Sequence, residues 1–290
     1  MEDTAHGGQA ARDGGTLYVV ATPIGNLADI TLRALEVLKR VAVVAAEDTR
    51  VTMRLLRHYE ISVPLIALHA HNERDSADKL LGALASGRSV ALVSDAGTPA
   101  ISDPGAVAVA AVRAAGYPVV PIPGANAATC ALSAAGIQAP HYLFYGFLPQ
   151  KPAARRTELE KLRAHPYLII FYEAPHRVLA SIADIAEVFG GARTLTIARE
   201  LTKLFEVIHA CPLGAAASWF AADQNRLKGE FVLLVEGAAE DLDDDSNQHK
   251  RVLEILLRET PLKHAVKVAS EITGAKRNEL YALALSLKKA

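Results

Sequence analysis

Short apolar runs alternate with stretches of helical periodicity from residue 17 to about residue 139. The runs LYVVAT, VAVVAAE, PLIALHA, SVALVSD and YPVVPIPG are rich in valine, leucine and isoleucine, and each predicts a buried strand. A helical pattern follows each run, and we expect Gly87, Gly116 and Gly136 to end three of these helices. Continuous apolar strands that alternate with capped helices indicate βα units and a mostly parallel sheet.

The pattern changes at QAPHYLFYGFLPQKPAARR, where prolines and aromatic residues predict the crossing into a second domain. The runs YLIIFYE, ARTLTIARE, LFEVIHA and EFVLLVEG predict further strands, and we expect helices after Pro152, Pro175 and Pro212. Only LTK separates the middle two strands, which indicates an antiparallel pair. The second sheet is therefore expected to be mixed.

The predicted fold class is α/β, with two α/β domains and a small helical C-terminal domain. We expect a disordered leader at residues 1–15, a first domain with a mostly parallel sheet at 16–139, and a second domain with a mixed sheet at 140–240. The acidic stretch AAEDLDDDSNQHK predicts a linker at 241–248, and residues 249–290 predict three short, basic helices.

Charge is distributed unevenly along the 290 residues, whose formal net charge is −1. Residues 246–290 contain nine lysines and arginines and four glutamates, a surplus of +5 that leaves −6 for the remainder. This asymmetry favours a nucleic-acid contact by the tail, although a solvated helical face explains it equally well. The near-zero total gives no general attraction to nucleic acid or to a membrane surface.

Cysteine content and hydropathy indicate a cytosolic protein. Cys130 and Cys211 lie in neither a CxxC motif nor a metal-ligand spacing, which fits a reducing compartment. The chain has no stretch of 18 uninterrupted apolar residues, and its first 15 residues contain no signal-peptide core.

The loops ATPIGNLADIT, EDTR, SDAGTPAISDPG and IPGANAAT each follow the carboxyl end of a first-domain strand. In a parallel α/β sheet these ends meet at one edge, where ligands bind. Glycines allow close approach or unusual φ angles, and prolines stiffen the turns. They are Gly25, Gly97, Gly105 and Gly124, with Pro23, Pro99, Pro104 and Pro123. One such loop is an ordinary turn, but several at one edge predict a ligand site. No loop matches GxGxxG or GxxxxGK[ST], so the phosphate cradles of NAD and ATP are not supported and a ligand without phosphates fits better.

Polar residues leave the second strand together, as Glu47, Asp48, Thr49 and Arg50. A carboxylate at a strand end can act as a general base where burial and neighbours adjust its pKa. Asp48 or Thr49 can instead cap the next helix, and Glu47 can simply pair with Arg50. From the residues alone, capping is favoured for Asp48.

The third strand is followed by His69, His71, Asn72 and Glu73. His69 is a second candidate base, and Asn72 can cap the following helix. The two histidines share a face of an extended segment and could bind a metal with Glu73. Because no distant Cys or His pair completes a ligand set, no metal is expected.

A similar polar cluster ends two strands of the second domain. Its members are Glu173, His176 and Arg177 in FYEAPHRV, and Arg199, Glu200, Lys203 and Glu206 in ARELTKLFE. A surface ion-pair network explains them. The functional alternative is a substrate wall in which Arg177, Arg199 and Lys203 contact phosphates.

Taken in order, VATPIGNLADIT, AAEDTR, LHAHNE, SDAGTPAISDPG, PIPGANAA, YGFLP, YEAPHR, ARELTK and GEFVLLVEG resemble the RNA-modifying branch of the tetrapyrrole methylase superfamily. The match spans about residues 16–240, and the basic tail resembles the family's helix-turn-helix-like C-terminal domain. The resemblance implies a tetrapyrrole-methylase-like fold, a homodimer, and S-adenosylmethionine bound between the two α/β domains. It also implies methyl transfer to the ribose 2′-hydroxyl of a cytidine in the decoding region of small-subunit ribosomal RNA.

The resemblance further implies which residues contact the methyl donor. They are Pro23, Ile24, Gly25, Ala96, Gly97, Thr98, Ile101, Asn126, Ala127 and Tyr172, with Ala210 and Gly229 as weaker assignments. The superfamily's Gly-Asp-Pro turn corresponds to Gly97, Thr98 and Pro99. Because a threonine replaces the aspartate, a backbone contact is expected there.

A ribose hydroxyl is a poor nucleophile at neutral pH, so a base is expected beside it. We expect Glu47 or Asp48 as the base, then His69, with Arg50 orienting a carboxylate or phosphate. The expected substrate contacts are Asn72, Glu73, Arg177, Arg199 and Lys203. Two alternatives stay open: a tetrapyrrole or protein-side-chain methyltransferase of the same fold, and a non-catalytic ribosome-assembly factor.

Overall fold

A parallel sheet of five strands forms the first part of the computed structural model, which describes residues 15–69, 73–238 and 242–289. The strands lie in the order β3-β2-β4-β1-β5, and every pair is parallel. The strands are β1 (Leu17–Val20), β2 (Val43–Ala46), β3 (Leu65–Ala67), β4 (Val90–Val93) and β5 (Val119–Ile122), and the helices are α1 (Leu32–Arg40), α2 (Thr49–His58), α3 (Glu73–Ala85), α4 (Ala106–Ala114) and α5 (Ala127–Ala134).

Side chains from both faces of the first sheet are buried, which explains why its strands are apolar without alternation. In β4, Val90 and Leu92 pack with Leu84 on one face, while Ala91 and Val93 pack with Leu38 on the other. The predicted C-caps are also present, since Gly87, Gly116 and Gly136 have φ angles of 78°, 80° and 67°.

The second sheet is mixed, as predicted, and has the order β6-β7-β10-β8-β9. β6 runs parallel to β7, whereas the other pairs, including β8 with β9, are antiparallel. The strands are β6 (Tyr142–Phe147), β7 (Leu168–Glu173), β8 (Thr194–Arg199), β9 (Val207–Pro212) and β10 (Phe231–Val235), and the helices are α6 (Pro152–Leu162), α7 (Val178–Phe189) and α8 (Ala216–Ala221).

β6 lies in the stretch that the sequence pattern assigns only to a crossing between domains. Its register with β7 shifts between Phe144 and Gly146, and Gly146 has a φ angle of 81°. This bulge breaks the strand periodicity, and half of the strand's side chains are only partly buried at the sheet edge. The sequence pattern therefore missed a real strand.

Helix α5 joins the two sheets within one compact unit. Ala128 and Ala131 of this helix pack on Ile170 and Val232 of the second sheet. The opposite face of that sheet packs on α6 and α7 around Phe171. The end of β5, which leads into α5, is thereby held against the second sheet.

Three helices form a second compact unit: α9 (Leu242–Glu259), α10 (Leu262–Thr273) and α11 (Arg277–Lys289). Leu253, Val266 and Leu280 form its small core. α9 begins at Leu242, so most of the segment predicted as a linker at 241–248 is helical. No helix in the described part of the chain is both long and apolar enough to span a membrane.

Candidate functional site

The loops after β1 and β4 are bound to each other at the carboxyl edge of the first sheet. Thr22 and Gly97 exchange two backbone hydrogen bonds of 2.8 and 3.0 Å, and the Thr22 hydroxyl donates to the carbonyl of Ser94 at 3.1 Å. The Thr98 hydroxyl donates to the carbonyl of Ala125 at 3.1 Å, which ties in the loop after β5. The predicted convergence of loops is therefore present in the fold.

The loop after β4 has an unusual backbone. Gly97 and Gly105 have φ angles of 79° and 127°, and the non-glycine residues Ala100 and Ser102 have 67° and 63°. A left-handed conformation costs an L-residue free energy, and such strain persists only where the surroundings impose it. Strain of this kind clusters at ligand sites, so the backbone of this loop indicates a ligand site beside it.

A cavity of about 300 Å³ lies between this loop and the second sheet. This volume falls within the range of small-molecule sites. One wall comes from the first-sheet loops and α5, and the other comes from the ends of β7, β8 and β10. The lining residues are Ile24, Ala96, Gly97, Thr98, Ile101, Ser102, Asp103, Asn126, Ala127, Phe147, Tyr172, Glu173, Ala174, Pro175, Ala198, Leu201, Glu230, Phe231 and Val232.

Most of the residues expected to contact a methyl donor line this one cavity. They are Ile24, Ala96, Gly97, Thr98, Ile101, Asn126, Ala127 and Tyr172. Pro23 and Gly25 instead line a neighbouring groove, which Ile24 and Ala96 share. Ala210, which lies in β9, is outside the cavity lining. Gly229 precedes β10 and is also outside the lining, and a Cβ added to it would lie 2.4 Å from the Glu200 side chain.

Tyr172 connects the two walls of the cavity. Its phenolic oxygen accepts a hydrogen bond of 3.1 Å from the backbone N–H of Ala128 in the first turn of α5. The side chain of Asn126 caps the same helix by accepting from Ala128 and Thr129. Burial raises the pKa of the Tyr172 hydroxyl, so it stays protonated at neutral pH and keeps a proton to donate.

Several lining residues were missed by sequence reasoning. Asp103 lies in the same SDAGTPAISDPG loop and could have been found there, because an aspartate in a Gly- and Pro-rich loop at a predicted ligand edge is a candidate. Phe147, Ala198, Leu201 and Phe231 carry no such signal. Phe147, Ala198 and Phe231 lie near the ends of apolar strands and Leu201 follows β8, and they line the cavity only because the second sheet folds against the first.

The carboxylates of Glu47, Asp95 and Asp103 form a cluster beside the cavity. The backbone N–H of Asp95 donates to Glu47 Oε2 at 3.3 Å, and the N–H of Asp48 donates to Asp95 Oδ1 at 2.8 Å. Burial, with the charges of Glu47 and Asp95, raises the pKa of Asp103 to about 6. Burial also raises the pKa of Glu47, to which the charge of Asp95 contributes. Asp103 is the member that lines the cavity.

Asp48 is a helix cap in this structure. Its carboxylate accepts from the backbone N–H of Arg50 at 2.8 Å and pairs with the Arg50 guanidinium at 2.6 Å. These bonds lower the pKa of Asp48 to about 2, which makes it a weak base. Arg50 therefore pairs with Asp48, in place of the ion pair with Glu47 that the sequence left open.

His69 lies next to the carboxylate cluster. Its Nδ1 is 2.9 Å from the carbonyl oxygen of Glu47, and its side chain is exposed. His71 and Asn72 lie outside the described residues, and Glu73 is described only as the first residue of α3. The candidate metal set and the expected cap and substrate contacts at these positions stay predictions.

The second-domain cations are held by protein groups to different degrees. The guanidinium of buried Arg199 donates to the carbonyls of Lys228, Phe205 and Asn225, at 2.6, 3.1 and 2.9 Å. A guanidinium enclosed by three carbonyls is a structural brace, so we do not assign Arg199 to phosphate binding.

Arg177 and Lys203 are also paired. Arg177 contacts Glu173 at 2.6 Å, and their side chains are 14% and 1% exposed. Lys203 contacts Glu200 and Glu230 at 2.9 and 2.8 Å. The ion-pair interpretation of this cluster is therefore present in the structure, and Glu173 and Glu230 bring two of these pairs to the cavity wall.

The sequence matches the models of two protein families. Residues 16–217 match the model of the tetrapyrrole (corrin/porphyrin) methylases, and residues 243–288 match the model of the RsmI C-terminal HTH domain. The expected tetrapyrrole-methylase fold and helix-turn-helix-like tail agree with these matches.

Curated relatives resemble almost the whole chain. Ribosomal RNA small subunit methyltransferase I of Pseudomonas aeruginosa is 52% identical over 273 residues, which cover 93% of this chain and 97% of the relative. The protein of the same name from Escherichia coli O157:H7 is 51% identical over 271 residues, covering 93% and 95%.

Solved structures with the same fold are more distant in sequence. The cobalt precorrin-4 methyltransferase CbiF has a TM-score of 0.59 and 16% identity, and the alignment covers 76% of this chain and 94% of that one. Uroporphyrin-III-C-methyltransferase from Thermus thermophilus has a TM-score of 0.55 and 22% identity, covering 77% and 94%. At these identities, the likeness establishes the fold alone.

Proposed function

Because the chain belongs to the ribosomal RNA small subunit methyltransferase I family, we propose that it methylates the ribose 2′-hydroxyl of a cytidine in the decoding region of small-subunit ribosomal RNA, with S-adenosylmethionine as the donor. Membership makes the chain a methyltransferase; the donor, the nucleotide and the atom are the parts that we propose. The single observation that carries the proposal is the cavity, whose lining includes eight residues that the family resemblance implies as donor contacts, seven on the first-sheet loops and α5 and Tyr172 on the second sheet.

The cavity has the surfaces that a folded nucleoside donor needs. Gly97 is buried with a φ angle of 79°, so its backbone can approach a ligand where a side chain would be strained. Ile24, Ile101 and Val232 supply apolar walls, while Thr98 and Tyr172 supply polar groups. S-adenosylmethionine would contribute an electrophilic methyl carbon on a sulfonium sulfur.

We assign Asp103 as the residue that receives the proton of the ribose hydroxyl. It is the carboxylate of the cluster that lines the cavity, whereas Asp48 is occupied as a helix cap. A carboxylate whose pKa is about 6 is mostly ionised at pH 7.5 and still accepts a proton better than an ordinary aspartate. Glu47 and Asp95 hold negative charge beside it, and Glu47 is the second candidate.

Positioning supplies much of the rate of an in-line displacement, because the reacting oxygen and carbon must approach along one axis. The bond between Tyr172 and Ala128 joins the two cavity walls, and the bonds between Thr22 and Gly97 hold the loops of the first wall together. We further propose that the enzyme acts as a homodimer in the cytoplasm. Light scattering of the purified chain tests the dimer.

The experiment is methyl transfer from radiolabelled S-adenosylmethionine to small ribosomal subunits purified from bacteria that lack this methylation. Primer extension that is sensitive to ribose methylation then maps the label. We expect one labelled ribose in the decoding region. If calorimetry shows donor binding but the methyl group is transferred to a porphyrin or a protein, ribosomal RNA is not the acceptor. If calorimetry shows no binding at all, S-adenosylmethionine is not the donor.

A further inference from the structure

An open groove of about 970 Å³ adjoins the donor cavity. Its lining includes α2 on one side and the loop after β1 on the other, with Lys203 of the second sheet's β8–β9 connection. Ile24, Ala96 and Glu230 line both the groove and the cavity, so the two spaces meet at a common wall. A molecule lying in the groove can therefore place one group at the cavity.

The exposed face of α2 is basic. Thr52, Leu55 and Leu56 bury one face of the helix, and this spacing leaves the opposite face to positively charged side chains. Arg54, Arg57 and His58 on the exposed side line the groove. Arg54 and Arg57 are three residues apart, so they are neighbours on the helix surface.

These two arginines differ from the other cations near the site. Arg50 is held by Asp48, and Lys203 is held by Glu200 and Glu230. Among the residues that the structure describes, neither Arg54 nor Arg57 forms a salt bridge. Their guanidinium groups are thus available to an anion, and a guanidinium matches the geometry of a phosphate.

A ribose whose 2′-hydroxyl enters the cavity has a phosphate on each side of it. Ile24 and Ala96 line the wall that the cavity and the groove have in common. When the acceptor ribose lies at this wall, the RNA backbone on either side of it must leave through an opening beside the wall. The groove is such an opening, and its free positive charge lies on α2. Tyr59 donates a hydrogen bond to the carbonyl of Leu27, which fixes the end of α2 to the loop on the other side of the groove.

We propose that this groove binds the phosphate backbone of the RNA strand next to the methylated nucleotide, with Arg54 and Arg57 as the phosphate contacts. The inference rests on the proposed function and adds Arg54 and Arg57, which were not among the predicted substrate contacts, although the predicted contact Lys203 also lines the groove. The groove binds backbone and reads no base sequence, since the two arginines contact charge alone.

The test compares two variants of the full-length protein that each remove two exposed arginines. Arg54→Ala/Arg57→Ala alters the groove, and Arg40→Ala/Arg113→Ala alters the last turns of α1 and α4, outside the groove lining. Binding of small ribosomal subunits is measured by filter retention over a range of salt concentrations, and methyl transfer gives KM and kcat. Thermal denaturation and donor calorimetry establish that both variants are folded.

We expect the groove variant to bind subunits about 10- to 100-fold more weakly than wild type, with KM rising in parallel and kcat little changed. The slope of log affinity against log salt should fall by about 1.4, since each phosphate contact to a single strand contributes about 0.7. Arg54→Lys/Arg57→Lys should recover part of the affinity, because lysine keeps the positive charge but lacks the planar pair of donors with which arginine binds a phosphate.

Two results would overturn the inference. If both alanine variants lose the same affinity for subunits, the attraction is general and not specific to the groove. If the groove variant loses no affinity, the groove does not bind the RNA, and the basic tail becomes the candidate contact. The function and the path fail separately. If wild type transfers no methyl group yet binds subunits through Arg54 and Arg57, the proposed function is wrong and the groove is retained only as a surface that binds RNA. If transfer is normal in the groove variant, the function stands and the path is wrong.

Discussion

Replacing Asp103 with asparagine should make the protein more stable and much less active. The carboxylate has an ordinary pKa of 3.8 and a folded-state pKa of about 6, because it is partly buried near the charges of Glu47 and Asp95. A difference of about two units corresponds to about 3 kcal/mol of unfavourable free energy in the ionised form. Since the side chain is partly exposed and solvent screens its charge, we expect a gain of about 1–2 kcal/mol.

The pH dependence of this gain has a definite sign. The folded state holds the proton more tightly than the unfolded chain, so the ionised carboxylate destabilises the native state. Below pH 3.8 both states are protonated and Asp103→Asn gives no advantage. The advantage grows as the pH rises towards about 6 and is constant above it.

Urea denaturation at pH 5, 6 and 7.5 measures this effect, with Asp78→Asn as the control. Asp78 is exposed on α3 and lies outside the cavity lining, so its substitution should leave the unfolding free energy unchanged. In parallel, Asp103→Asn should lower kcat by about 10²- to 10⁴-fold and abolish the acid limb near pH 6. A variant that is less stable than wild type at pH 7.5, or that keeps full activity, refutes the reasoning.

Three further substitutions test the environment of the site. Glu47→Gln removes a charge that raises the pKa of Asp103, so the acid limb of kcat should shift to lower pH; loss of transfer at every pH would instead make Glu47 the base. Tyr172→Phe removes one of the two acceptors of the Ala128 N–H and leaves Asn126 as the other. It also takes a hydroxyl from the cavity wall, and because one hydrogen bond is worth about 1 kcal/mol, donor binding should weaken about fivefold in calorimetry without a change in KM for subunits. Arg199→Lys cannot reach all three carbonyls and should lower the unfolding free energy by about 2–4 kcal/mol in urea, whereas a selective rise in KM would restore Arg199 to the substrate contacts.

Local pattern was sufficient for most of the elements and for one edge of the site. The alternation of apolar runs and helices follows from burial of both faces of a parallel sheet, which leaves a periodic record along the chain. The carboxyl edge was predictable for the same reason, because parallel strands bring their following loops together wherever the rest of the chain lies. The pattern thus predicted that the loops carrying Ile24, Gly97 and Asn126 meet at this edge, whereas their individual roles as donor contacts were implied by the family resemblance.

The apolar wall and the role of each charged group depended on tertiary contacts. Phe147 and Ala198 reach the cavity because α5 packs the second sheet against the first, and no local pattern encodes that packing. Arg199 and Arg54 are the same residue type, yet one is enclosed by carbonyls and the other lies on an open groove. Charge is visible in a sequence, but burial and partners, which determine what a charge can do, come only from distant parts of the folded chain.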